Sequence, residues 1–441
     1  MPQLIHLPGE LVARAISHVD RSALKQLRQT CRTLSQFASR ELFRAVRLFP
    51  DEESYERVRN ISNDAVLRRV EWGDPDCTLT EPFKDAIMQL KHFPNVQSTV
   101  LRFDKNCCVD DDGVEMWRSE WPQPPTYREE VLRVFFSWLT SLDVPIKELG
   151  IRNLQGRNIK DAEVRAMMAK MLPSLQSLRL NIATEHHEAS PEEDLEFPEP
   201  HEFFAEMPSA WLKPTMGSLE HLTIYCDNYW GFFPKLDLNG IHFPRLKTLA
   251  LGNFGFVQDS QVEWVISHAA TLIELYLDDC TILYDKSQME VRIRKDCPQL
   301  SKHCRSYEKR WHDLFDAFRT GLPLLRHFRM GTTCWSEGMP FEKETKINIG
   351  LMNDRYMACY DGYGPSPYIT GHHTYADDEK AAPECDEEDR NALRLLLQSI
   401  GQTASNSWSI GYREFLGFIG TWSLGWRRGK PGLYSPSGFA Q

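Results

Sequence analysis

The sequence predicts an α/β protein: a small N-terminal unit of three helices, then an irregular solenoid of parallel strands with outer helices, curved into a horseshoe. Three observations carry this. Through the first fifty residues, apolar side chains recur at three- and four-residue steps, the period of a helix. From Pro94 to Met330 a short pattern, (Pro)-x-Leu-x-x-Leu-x-Leu, returns seven times. Helix-like stretches lie between several of its copies, and strand–helix units in series build a parallel sheet covered by helices.

The first element begins at Leu7-Pro8, where a proline at a first-turn position loses nothing by lacking an N–H. Leu11, Val12, Ala15, Ile16 and Val19 then form one apolar stripe. Asp20 and Ser22 are capping residues ahead of a second stripe of Leu24, Leu27, Cys31 and Leu34. A third short helix turns Phe37, Ala38, Leu42 and Phe43 inward, and the chain leaves as an extended "AVRLF". Helices this short bury too little to be robust alone, so the unit must dock on something. It carries eight Arg or Lys against three acids, whereas the whole chain has a net charge of −11. A basic, partly apolar patch on an acidic protein suits an acidic protein partner.

The string "LPGELVARAISHVDRSALKQLRQTCRTLSQFASRELFRAVRL" resembles an F-box of the fungal type. It carries the Leu-Pro-x-Glu-Leu opening (Leu7, Pro8, Glu10, Leu11), then Ile16, then the Leu-x-x-Leu-x-x-Thr-Cys-Arg-x-Leu block (Leu24, Leu27, Thr30, Cys31, Arg32, Leu34). The turn "HVDRSA" departs from the family pattern in lacking its frequent Pro and Asp-Leu-Leu start. The resemblance covers a tenth of the chain. It implies a three-helix module that docks on a Skp-type adaptor, and through it on a cullin and a ring-finger subunit. Leu7, Pro8, Glu10, Leu11, Ile16, Leu24, Leu27 and Leu34 are the implied docking residues, with Leu7, Pro8, Leu11, Ile16, Leu24 and Leu27 forming a partly exposed patch.

The repeated pattern appears as "PNVQSTVL", "IKELGI", "PSLQSLRL", "GSLEHLTI", "PRLKTLAL", "ATLIELYL" and "PLLRHFRM". Its first apolar positions are Val96, Ile146, Leu175, Leu219, Leu246, Leu272 and Leu325. Three of the six intervals fit the roughly 20–29-residue step of leucine-rich repeats, and three carry insertions. The alternating L-x-L places leucines on one face of a strand. Helices are expected over Tyr127–Leu142, Lys160–Leu172, Asp259–Thr271 and Arg305–Leu322. Many F-box proteins carry such a leucine-rich-repeat domain, so the resemblance implies a substrate-holding horseshoe. The leucines are core. The residues between them point to the open, concave face: Arg152, Arg179, Tyr225, Tyr276, Asp278 and Arg329. Tyr and Arg are the types that dominate binding energy at interfaces.

Two acidic inserts interrupt the chain. Thr184–Glu206 holds nine acids and no Lys or Arg, and Ala376–Asp389 holds eight acids against Lys380. Both read as solvated loops. "YMACYDGYGPSPYITGHHTY" is expected to close the horseshoe, and Arg390–Ile400 to form a last helix. The organisation is then 1–48 F-box, 49–90 helical linker or first irregular repeat, 91–345 solenoid, 346–400 closing loop and last helix, and 401–441 a tail without clean period. A chain of 441 residues exceeds the size at which one core stops growing, in keeping with several units.

Composition excludes several classes. The acidic balance argues against a nucleic-acid partner. No apolar run reaches membrane-helix length, and the N-terminus lacks a signal peptide's basic start and apolar stretch. Eleven scattered cysteines with no CxxC read as reduced thiols, hence cytoplasm or nucleus. No nucleophile elbow, Walker loop, HExxH or GxGxxG occurs, so no cofactor is implied. The paired histidines His186-His187 and His372-His373 point in opposite directions, and "CPQLSKHC" (Cys297–Cys304) lacks a second ligand pair. The expectation is a non-enzymatic subunit that recruits a protein substrate of unknown identity to a Skp–cullin–F-box ubiquitin ligase. The alternative is a scaffold that binds the adaptor without assembling an active ligase.

Overall fold

The computed structural model describes residues 9–42, 45–48, 79, 81–92, 96–104, 106–108, 122–184, 197–285, 307–331, 347, 349–352, 355–358 and 383–402. The expected linker 49–90 lies mostly outside these residues and the tail 401–441 almost wholly so, as do both histidine pairs and Cys297–Cys304.

Three short helices open the described chain: α1 (Gly9–Ile16), α2 (Arg21–Leu27) and α3 (Arg32–Leu42). Asp20 caps α2, its Oδ1 accepting from the Ser22 and Ala23 N–H groups at 2.9 and 3.0 Å. The helices hold a core of their own, built from Val12, Ile16, Leu24 and Ala38 with Val19, Leu27, Leu34 and Phe37 against it. Two expectations change here. Leu11 and Ala15 lie outside the first stripe, facing solvent. The second stripe is two helices, because the chain breaks over Arg28–Cys31 and leaves Cys31 exposed.

The sheet follows. Strands β1 (Ala45–Leu48), β2 (Ser98–Arg102), β3 (Glu148–Gln155), β4 (Ser177–Ala183), β5 (His221–Trp230), β6 (Thr248–Phe256), β7 (Glu274–Asp278) and β9 (His327–Gly331) lie side by side in that order, all parallel. Each of the seven pattern copies contributes one strand of this row, and "AVRL" adds another in front. Two further strands, β8 (Thr281–Asp285) and β10 (Tyr356–Ala358), extend from β6 as a side branch. Between strands run α4 (Glu81–Gln89), α5 (Pro125–Thr140), α6 (Ala162–Met171), α7 (Pro198–Met207), α8 (Asp259–Ile266) and α9 (Trp311–Gly321), and α10 (Asp386–Ser399) packs on α9. The four helices expected within the repeats are α5, α6, α8 and α9, with bounds moved by at most six residues.

Units of unequal length enter the sheet in the same way. At each of the six junctions from β2 to β9, a single carbonyl accepts the N–H groups of two successive residues in the next unit, at 2.7–3.1 Å. The acceptors are Gln97, Lys147, Gln176, Glu220, Lys247 and Ile273. The inserts therefore leave the register unchanged, and Leu149, Leu178, Leu222, Leu249 and Leu275 all fall on one buried row. Asparagine supplies a second recurring device. Asn153 and Asn253 both have φ of 55°, a left-handed conformation that asparagine tolerates well. Each sends its side-chain Nδ2 back to a carbonyl of the preceding unit, Phe103 or Cys226, at 2.9 Å.

The acidic inserts are corrected in part. Within Thr184–Glu206, residues 198–206 belong to α7, whose Phe203, Phe204 and Met207 are buried in the main core. The apolar steps at Pro200, Phe203, Phe204 and Met207 outweigh the acids there, because burying two aromatic rings gains several kcal/mol. Residues 386–389 of the second insert are the first turn of α10.

Candidate functional site

The polar face of the sheet is set by strand alternation. Leu178 and Leu180 of β4 point into the core, so Ser177, Arg179 and Asn181 point the other way. Register then fixes which residues are neighbours. Arg179, Thr223, Ala250, Tyr276 and Arg329 form one row across β4, β5, β6, β7 and β9. The next row places Arg102 directly beside Arg152 on β2 and β3, and continues on β4–β7 through Asn181, Tyr225, Gly252 and Asp278. The face thus assembles all six residues expected on it: Arg152, Arg179, Tyr225, Tyr276, Asp278 and Arg329.

It does not expose them equally. Tyr225, Tyr276 and Asp278 are only 3%, 2% and 1% accessible, against the expectation of an open concave surface. Tyr225, Ala250 and Tyr276 pack around Ile347, and Arg329 donates to the Ile347 carbonyl at 2.9 Å. The ring of Tyr225 also lies flat over Gly252, where a Cβ would collide with it. The physical reason is Ile347, whose apolar side chain is packed on this part of the face against the tyrosines. Arg152 and Arg179, with Arg102, remain half-buried on the other half. There Arg179 donates to Ser177 Oγ at 2.8 Å and lies 3.3 Å from His221 Nδ1, and His221 Nε2 lies 2.9 Å from Thr223 Oγ1. With a guanidinium able only to donate, His221 Nδ1 accepts and Nε2–H donates to Thr223.

Of the expected adaptor-docking residues, Leu7 and Pro8 lie outside the described residues. Glu10 and Leu11 are on α1, and Leu11 is 51% exposed. Ile16 and Leu24 are 2% and 4% exposed, and Leu27 and Leu34 pack beside them. Ile16 and Leu24 thus belong to the unit's own core with Val12 and Ala38, while Leu27 and Leu34 stay partly exposed at its margin.

A buried polar cluster ties α9, β10 and α10 together, and its Cys385 and Asp389 fall in the acidic segment expected to be a solvated loop. Asp389 has no exposed side-chain surface. Its Oδ1 accepts the His312 backbone N–H and His312 Nδ1–H, and its Oδ2 accepts from Arg355 Nε at 2.9 Å and Tyr356 Oη at 2.8 Å. Burial opposes the charge of Arg355, but Asp386 and Asp389 outweigh it and hold the guanidinium protonated. The Cys385 thiol lies 3.6 Å from Asp389 Oδ2, and burial, then the Asp389 carboxylate, push it up. His312, Cys385 and Asp389 place potential ligand atoms within 4.8 Å of one another. Yet both Asp389 oxygens are engaged, one of them by a cation, and the thiol is held protonated. This donor set fits a capped helix end better than a metal centre or a nucleophile.

Fold and face together define a protein of successive parallel strand–helix units with a partly covered polar surface. No protein-family model matches the chain, and no curated protein is similar to it. Among the described residues no helix is long and apolar enough to cross a membrane.

Proposed function

We propose that this chain is a non-enzymatic recruiting subunit, in which the N-terminal helices dock on a Skp-type adaptor of a cullin ligase and the polar sheet face holds a protein substrate. The observation that carries the reading is Leu11. It belongs to the Leu-Pro-x-Glu-Leu opening, and it stays half exposed while Leu24, Leu27 and Leu34 pack in or against the unit's own core. Exposed Arg14 and Lys25 give the same unit a basic surface. The contribution to catalysis is approximation. A conjugating enzyme held by the ring-finger subunit meets the substrate's lysines at raised effective concentration.

The test is co-purification from native cells. Adaptor, cullin and ring-finger subunit recovered together with the chain support the ligase, and adaptor alone supports a scaffold without ligase activity. Recovery of none of them overturns the reading. Changing Leu7, Pro8 and Leu11 to Ala should abolish adaptor recovery and leave the thermal transition of the sheet in place.

A further inference from the structure

We propose that the hollow formed by Tyr225, Ala250, Tyr276 and Arg329 binds the C-terminal residue of a partner protein, an aliphatic side chain with its free carboxylate, and that Ile347 is an internal competitor for the same seat. The inference rests on the reading that the polar face is the capture surface, and it adds the chemistry of what is captured.

The hollow follows from side-chain size. On the polar face β6 carries Thr248, Ala250 and Gly252, and the last two are small. Tyrosines stand on either side, Tyr225 on β5 and Tyr276 on β7, with the Tyr225 ring over Gly252. Ile347 fills the space between them. It is 1% exposed and packs against Tyr225, Ala250 and Tyr276 in a cluster apart from the main core. Arg329, beside Tyr276 on β9, donates from Nη1 to the Ile347 carbonyl at 2.9 Å. One residue thus has its side chain in an aromatic-walled hollow and its own carbonyl on a guanidinium. The last residue of a chain offers both groups at the same spacing, with a carboxylate in place of the carbonyl. Tyr and Arg are also the residue types that dominate binding energy at interfaces.

Arg329 marks the carboxylate as the better ligand. Its guanidinium bonds that neutral carbonyl, and among the described residues no carboxylate pairs with it. The acids nearest in register, Glu274 and Asp278, lie on β7 one row to either side, and Glu274 Oε2 instead accepts the Thr248 hydroxyl at 2.9 Å. A guanidinium bonds a carboxylate about twice as strongly as a neutral acceptor, and can do so through two N–H groups. That difference decides between an internal and a terminal segment. Ile347 is tethered, so it competes at an effective concentration on the order of millimolar. A partner's internal segment would offer only the contacts Ile347 already makes. A terminal residue adds the charge that Arg329 can use.

The experiment uses the full chain and fluorescein-labelled peptides of one Gly/Ser-rich sequence, followed by anisotropy. One ends in isoleucine with a free carboxylate, and a second ends in the same isoleucine amidated. A third ends in glycine with a free carboxylate, and a fourth holds the isoleucine internally. The first should bind at least about tenfold more tightly than the other three. Ile347→Ser empties the hollow and should tighten that peptide at least about tenfold, whereas Ile347→Val keeps it filled and should not. Arg329→Gln should erase the preference for the free carboxylate. If Ile347→Ser fails to fold, the acid and amide peptides measured on the unaltered chain and on Arg329→Gln decide alone. Equal binding of acid and amide overturns the proposal, as does tighter binding of the glycine-ended or internal peptide. So does a carboxylate preference that survives Arg329→Gln, the absence of any gain in a folded Ile347→Ser chain, or binding of none of the four. The chain is used without the adaptor, so failure of the N-terminal docking would leave this result unchanged. A cellular partner cross-linked to Arg329 through an internal segment defeats the terminal class and leaves the capture surface standing. A partner cross-linked nowhere on this face defeats the capture surface itself.

Discussion

The two ends of the sheet are built differently. At the β9 end the chain closes on itself. Ile347 covers the polar face, Gly350 donates to the Met330 carbonyl at 2.8 Å, and Gln402 bonds both the N–H and the C=O of Phe328 on the outer strand. Its side-chain amide thus occupies edge positions that another strand would otherwise use. Behind this, Asp389 and Arg355 hold α10 against α9. At the β1 end the first strand leads back to three helices whose core has four buried residues, one motif leucine remaining outside. Buried bonds have gone into closing one end, and the other carries the basic N-terminal helices. The proposed adaptor docking falls at the β1 end, and stability should depend on the other.

The largest effect should come from the closed end. Arg355→Leu leaves the Asp389 carboxylate buried and without its cation, which should cost about 3–5 kcal/mol. Urea denaturation measures it. A loss below about 1 kcal/mol would show that α10 is dispensable and that the two ends hardly differ in what holds them. In the middle of the sheet, Leu249→Ala should cost about 2–5 kcal/mol, since Leu249 is fully buried in the most regular unit. The tyrosines sharpen the comparison. Tyr225→Ala with Tyr276→Ala should now lower the melting temperature before it affects any partner, because both rings are packed under Ile347.

Leu249 was legible, because alternate leucines in a row of copies have one explanation. The junction carbonyls were not, since a backbone acceptor leaves no residue-type signature. Asp389 sits in an acidic run that predicts a solvated loop, yet it lies four residues before Leu393 and seven before Leu396, on the apolar stripe of its helix. That spacing was the available signal. For Tyr225 and Tyr276 there was none: alternation places them on the polar face, and nothing near them announces that Ile347, over seventy residues away from either, comes to lie on top.

A further prediction concerns pH. His268 is buried after α8, its Nδ1 2.9 Å from the Trp264 carbonyl and its Nε2 accepting the Phe243 N–H at 3.2 Å. Burial, then the stacked His242, push its pKa from 6.5 down to about 4. An unfolded chain takes up this proton below about 6.5, and the folded one resists until about 4. Stability from this residue is therefore complete above pH 6.5 and falls between 6.5 and 4, by at most about 3 kcal/mol. Melting temperatures over that range should drop less steeply in His268→Gln, and equal slopes would place the acid sensitivity elsewhere. Below this in size stands Gln402→Ala, which removes two hydrogen bonds from the outer strand and should cost about 1–2 kcal/mol. It should also increase self-association of the protein, read by light scattering, if Gln402 is what blunts that edge.

The smallest stability effect is the most informative. Leu11 is 51% exposed, and its neighbours Val12 and Ile16 carry the packing of α1. Leu11→Ala should therefore move the unfolding midpoint by no more than about 0.5 kcal/mol, as surface changes do. If the N-terminal unit docks as proposed, the same change should still remove most of the adaptor recovered with the chain, because an exposed leucine buried by a partner contributes about 1.5–3 kcal/mol of binding. Val12→Ala is the matched opposite: it weakens the small core first and the partner only as a consequence. Loss of adaptor binding in Leu11→Ala with folding intact would mark the β1 end as the docking end. Intact binding in Leu11→Ala, with loss only in Val12→Ala, would mean that the helices serve as a cap on the sheet, and the contrast between the two ends would lose its functional meaning.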